Sequence, residues 1–325
     1  MTSSRPPSLR ELNRTLLARQ MLLARRRMTA ARAVSKLVAL QAQYAPSPYV
    51  ALWSRLEGFR KEQLYAPSIV KAGSFRSTLH VMARADFPAI AATYVESQRG
   101  RVRTDVAALI AALPDESISR AEYFAIASQV LGTDDRWTIE FAGRLVPAVR
   151  TGFLGGWPHN KPSPSRIWRD PLPDPAASAV RVVRAYLAAY GPATRLDIVK
   201  FTGFRMGQID PALVGLHEQD GYWDVPRAPR LAGDVAAPVR FLPAFDSIIL
   251  AHKDRTRIVP VEYEEIVFNK KNATVKSTFT VDGFVAGAWR IEGKRIAIDP
   301  FAPLPAKWRR QVEAEGERLL AWYLR

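Results

Sequence analysis

Cysteine is absent from the 325-residue chain. That excludes disulfides, thiolate zinc sites, iron–sulfur clusters and cysteine nucleophiles, and it fits a reducing cytoplasm. Histidine is scarce. His80, His159, His217 and His252 stand singly, with no ligand spacing between them, so no metal centre is expected. Long apolar runs are missing too. The longest, residues 106–113, falls far short of a bilayer, so no membrane partner is expected. Residues 1–10 carry no apolar segment behind their charges, which argues against a signal peptide. Negative charge is in short supply: 31 Asp and Glu stand against 47 Lys and Arg, a formal net charge of +16. With 24% charged and 48% hydrophobic residues the chain is globular in balance, and its excess of cations favours a polyanionic partner.

Several motifs are likewise missing. No dinucleotide glycine fingerprint follows a strand, and no serine-hydrolase elbow occurs. The stretch from Gly287 to Lys294 only resembles a phosphate loop. It has one residue too many between its glycines, and Arg295 stands where Ser or Thr should hold magnesium.

What is present reads first as helices. Residues 8–42 show two apolar stripes, the second capped by Thr29, and residues 61–72 continue as a third helix ended by Gly73. Residues 75–82 then alternate as a short strand. Helices followed by a small hairpin form the pattern of a winged helix–turn–helix. The pattern recurs. Helices are expected over residues 87–113, 119–131 and 140–150, with wing strands at 153–157 and 167–169 and a proline-dense boundary at 158–175. A third round follows, with helices from 177 to Gly191-Pro192, over 196–201 and over 211–219. From Gly221 the period changes to alternation, with strands at 221–225, 239–242, 274–281, 284–291 and 294–298 and hairpin turns at Asp282-Gly283 and Glu292-Gly293. An amphipathic helix over 306–323 closes this small antiparallel sheet or barrel.

Four features invite chemistry. Gln41 and Gln43 flank Ala42 at an expected helix end, just before Pro46 turns the chain. Side chains two apart on a helix splay by about 200°, so both share a site only if the helix ends there; solvated glutamines are the plain alternative. Arg76, Thr78 and His80 share one face of the expected strand, either as an ordinary wing surface or as a contact surface. Asp246 lies in the apolar stretch 241–246, the usual setting of a partnered structural carboxylate. After it, Lys253, Arg255 and Arg257 alternate, facing either phosphates or solvent. Lys270 and Lys271 crown an expected hairpin tip.

Taken together, these segments resemble the bacterial winged-helix DNA glycosylases of the AlkZ/YcaQ type. The matching pieces are Leu40-Gln41-Ala42-Gln43, Arg76-Ser77-Thr78-Leu79-His80, Tyr190-Gly191-Pro192-Ala193-Thr194, Leu242-Pro243-Ala244-Phe245-Asp246, Val281-Asp282-Gly283 and Gly287-Ala288-Trp289-Arg290. The resemblance implies an α+β protein of three tandem winged helices, a small β-barrel and a C-terminal helix. Its expected divisions are 1–85 with the Gln-x-Gln motif, 86–175, 176–220, and 221–325 with a DNA-probing hairpin. It implies a monofunctional DNA glycosylase for alkylated, cationic N7 or N3 purines and for interstrand crosslinks. Gln41 and Gln43 then fall on the catalytic motif, and Arg76, His80, Lys253, Arg255, Arg257, Lys270 and Lys271 on DNA. The implied partner is double-stranded DNA carrying alkylated or crosslinked purines, met by a cytoplasmic, nucleoid-associated monomer without cofactor. A non-catalytic winged-helix regulator or architectural protein is the alternative that shares the same charge and fold signals.

Overall fold

The computed structural model describes residues 5–99, 106–151, 163–269 and 271–325. The N-terminal region runs α1 (Leu9–Arg19), α2 (Ala30–Lys36), β1 (Leu40–Gln41), α3 (Ser47–Arg55), β2 (Ile69–Ser74) and β3 (Thr78–Ala83). Thr29 caps α2 as its position predicts, its side chain accepting from the Arg32 N–H. The expected helix to residue 42 is corrected: it ends at Lys36, Val38 turns to φ +66°, and the chain enters a strand. Residues 61–72 are also corrected, to one 3-10 turn, Lys61–Tyr65, followed by β2. In both places short buried strands are as apolar as a helix face, so periodicity alone misassigns them.

The middle region holds α4 (Phe87–Arg99), α5 (Ala107–Ala112), α6 (Arg120–Leu131), α7 (Arg136–Gly143), β4 (Ala148–Arg150) and β5 (Ser165–Ile167). Ser119 and Glu122 form a capping box on α6. The expected helix over 140–150 is displaced: α7 starts from the Asp135 cap, and β4 occupies its end. The expected strand at 153–157 lies outside the described residues. The strands β1 to β5 form one sheet in the order β1-β3-β2-β4-β5. Next come α8 (Pro175–Tyr190), α9 (Arg195–Thr202), α10 (Met206–Leu213) and a hairpin of β6 (His217–Gln219) with β7 (Tyr222–Asp224). The helix expected over 211–219 thus ends early, and its tail pairs as β6.

The last region contains β8 (Arg240–Leu242), α11 (Ser247–Leu250), α12 (Glu264–Val267), β9 (Phe268–Asn269), β10 (Thr274–Val275), β11 (Thr278–Val281), β12 (Phe284–Glu292), β13 (Arg295–Pro300) and α13 (Ala306–Tyr323). The expected barrel is corrected. Among the described residues β8, β11, β12 and β13 make an open antiparallel sheet, order β13-β12-β11-β8, with no pairing that closes it. Four strands are too few to curl shut around side chains. Instead α13 packs on the sheet, brought close by Gly316, where a Cβ would stand 2.8 Å from Ile298 Cδ1. Asp282-Gly283 turns with both φ positive, at +47° and +82°, as a two-residue hairpin requires.

Candidate active site

The two glutamines sit at the edge of the five-stranded sheet. Gln41 pairs with His80 across the β1–β3 ladder, and the Ala42 N–H donates to Leu79 O at 2.8 Å. Beyond it the chain leaves the strand and turns into α3, which brings the two side chains onto one side. Gln41 Nε2 donates to Gln43 Oε1 at 2.9 Å. Gln41 is 7% exposed, whereas Gln43 is exposed. With its amide engaged, Gln41 keeps its carbonyl: Oε1 is buried and accepts no hydrogen bond from any described residue. A buried acceptor left this way is costly in a structural role.

The turn is clamped from behind by residues about two hundred positions away. Ser247 Oγ donates to Ala39 O at 3.1 Å, just before Gln41, and Ser47 Oγ donates to Ala244 O, just after Gln43. Asp246 caps α11 and receives both arms of Arg55 at 2.7 and 2.9 Å, with both side chains fully buried. Asp246 is therefore a partnered structural carboxylate, and it locks α3 to the stretch 242–247.

His80 is 3% exposed, its Nδ1 lying 3.0 Å from Ser74 Oγ and 3.1 Å from Thr78 O. Burial, reinforced by the Arg76 charge, lowers its pKa to about 3. Beside Gln41, then, stands a neutral imidazole.

The cations are placed less uniformly than their spacing suggests. Arg76 does not share the strand face with Thr78 and His80. It takes φ +55° in a 3-10 turn, and its guanidinium donates to Lys200 O and Phe201 O at the end of α9. It thus caps a helix whose carbonyls lack partners. Lys253, Arg255 and Arg257 lie on no strand. Lys253 is exposed. Arg255 pairs with Glu264 at 2.8 Å and stacks 4.2 Å over Phe268, bracing the base of the β9–β10 hairpin. Arg257 is 4% exposed and donates to Pro192 O at 2.8 Å, so it points inward. Lys270 lies outside the described residues; Lys271 is exposed at the tip of that hairpin, where the notched turn is held by its N–H donating to Asn269 Oδ1.

Among the described residues no group of three or more His, Asp or Glu is arranged to hold a metal, and no helix is long and apolar enough to cross a membrane. The family model of AlkZ-like DNA glycosylases matches residues 34–322. The chain belongs to that family. Its fold is similar to the solved structure of the Streptomyces sahachiroi DNA glycosylase AlkZ, with a TM-score of 0.78 and 18% identity over 98% of each chain. No curated protein matches it.

This AlkZ-like protein is thus an enzyme: a DNA glycosylase that binds DNA, hydrolyses N-glycosyl bonds and serves DNA repair. The non-catalytic regulator is set aside. Sequence reasoning missed one cation of this glycosylase. Lys200, exposed at the end of α9, has its pKa lowered by partial burial and by the charges of Arg255 and Arg76. Those three side chains bring positive charge together between α9 and the hairpin base. Lys200 carries no motif, and only folding brings it near residues 55 and 124 positions away.

Proposed function

We propose that this glycosylase removes purines alkylated at N7 or N3, with Gln41 and Gln43 positioning the attacking water. The observation that carries this reading is the Gln41 carbonyl, buried and unpartnered while its amide is held by Gln43. Such a carbonyl accepts from a water below the sugar. The water oxygen bonds to C1′, the C1′–N bond breaks with its electron pair going to the purine, and the released proton passes to solvent. A glutamine cannot keep that proton, so it orients rather than acts as a base.

The surroundings favour a leaving group that is already charged. His80 is neutral, and Asp246 is occupied by Arg55, so neither supplies the proton a neutral purine needs. An N7- or N3-alkylated purine is cationic and leaves unassisted, and crosslinks built on the same linkage are unhooked by the same chemistry. Lys200, Lys253, Lys270 and Lys271 hold phosphates, and the three helix-then-hairpin units act as winged helices along the duplex, in a monomer.

The test is single-turnover release from a duplex carrying one N7-methylguanine. Gln41→Ala is expected to abolish release about 100-fold or more while duplex affinity survives. Unchanged release in that variant overturns the assignment.

A further inference from the structure

A second cleft lies on the opposite face of the five-stranded sheet from the glutamines. Successive strand residues point to opposite faces. Gln41 pairs with His80, whereas the neighbouring Leu79 pairs with Gly73, and those two line the cleft. Helices α4, α6 and α7 close it from the other side, enclosing about 320 Å³, the lower end of the range of small-ligand sites.

Three independent observations describe what it would accept. The first is charge. Arg150 lines the cleft with Arg144 and with Arg120, whose charge is met by Glu140, and behind Arg150 stands Lys71, its direct partner across the β2–β4 pair, where like charges repel. Among the described residues neither Lys71 nor Arg150 meets a carboxylate: Arg150 donates only to Ser163 O and Ser165 Oγ, both neutral. Burial first, then the charge of Arg150 on Lys71 and of Arg120 on Arg150, hold both groups below their ordinary pKa. The second is the floor. Gly73 interrupts β2 with no positive φ to require it, and a Cβ there would meet nothing within 4 Å. A mid-strand glycine facing open space marks where another molecule approaches the backbone. The third is the wall, where Tyr94, Tyr123 and Phe124 present aromatic surface.

We infer that this cleft binds a nucleotide, its base against the aromatic wall and its phosphate toward Arg150. The nucleotide is either free in solution or a unit extruded from bound DNA; the chemistry recognised is the same. The inference is independent of the role given to Gln41.

The probes are deoxyguanosine monophosphate, titrated calorimetrically, and a DNA duplex containing 2-aminopurine, followed by its fluorescence. The variants are Gly73→Val, which fills the floor, and Arg150→Gln, which removes the charge. Thermal melts confirm folding, and Gly73→Val is expected to melt as the wild type does because its side chain enters open space. Binding of the mononucleotide that weakens about tenfold or more in both variants, or about 1.4 kcal/mol, establishes the site for a free nucleotide. A 2-aminopurine signal that appears with the wild type and is lost in both variants, without mononucleotide binding, establishes it for an extruded one. If neither signal responds to Gly73→Val and Arg150→Gln, the inference is overturned.

Discussion

Gln41 and His80 face one another as direct partners across the β1–β3 ladder, one offering a buried carbonyl and the other a neutral ring. The pairing joins two segments forty residues apart into one site, and it sets the pH behaviour of that site. An imidazole with a pKa of about 3 does not titrate between pH 6 and 8. Release of N7-methylguanine is therefore expected to be flat with pH across that range when measured in single turnovers. A rate that follows an ionisation near pH 6.5 contradicts the neutral His80.

Stability, by contrast, should depend on pH below neutrality. His80 is lowered to about 3 and His252, buried beside Tyr190, well below 6.5. Both groups are neutral when folded but take up protons when unfolded, so the unfolded state gains as pH falls below 6.5. Each costs about 1.4 kcal/mol per pH unit in that window, down to its folded pKa. Urea midpoints between pH 7 and 5 are expected to fall accordingly, and His252→Gln to lessen the slope.

The inward turn of Arg257 separates it from the exposed cations proposed to bind DNA. Each phosphate contact contributes about 0.9 to the log–log salt slope of duplex binding. Lys271→Ala and Lys200→Ala are expected to reduce the slope by about that amount each. Arg257→Ala should leave the slope unchanged and lower the melting temperature. A salt titration of the three variants decides the assignment.

Breaking the ion pair behind the glutamine turn should be expensive. Arg55 and Asp246 are fully buried, and removing one leaves the other charge uncompensated. Asp246→Ala is expected to cost about 3–5 kcal/mol in urea unfolding. Ser247→Ala, which removes the bond to Ala39 O, is expected to cost about 1 kcal/mol. Its larger effect should be on turnover, because it loosens the backbone that aims Gln41.

The hydrolytic mechanism proposed for Gln41 forms no bond between enzyme and sugar. Borohydride added during turnover is expected to trap no covalent complex, and the product strand to carry an intact abasic site. A trapped adduct on a denaturing gel contradicts this, and mapping it would identify the nucleophile.

Much of the local structure was legible because it rests on local chemistry. Helix α13 spans the 306–323 expected for it, since Pro305 precedes a long amphipathic stretch. Ser119 and Glu122 announce the start of α6, and Asp282-Gly283 the β11–β12 turn, because caps and turns involve residues three or four apart. Two misreadings fell on short buried strands. Leu40-Gln41 and β2 continue the apolar spacing of the helices before them, and only their partners on β3 make them strands. Arg76 was misplaced for a related reason: its positive φ and its bonds to α9 have no signature in the strand-like pattern around it.

The sequence by itself determined the absence of thiol chemistry, the surplus of positive charge, the helix caps, the tight turns and the pair of glutamines beside a proline. These follow from residue type and from neighbours within a turn of one another. Tertiary structure alone decided which glutamine oxygen lies buried without a partner, which arginines turn inward and that the terminal sheet stays open. Burial and hydrogen-bond pairing depend on residues such as Ala39 and Ser247, which are far apart along the chain and meet only when it folds.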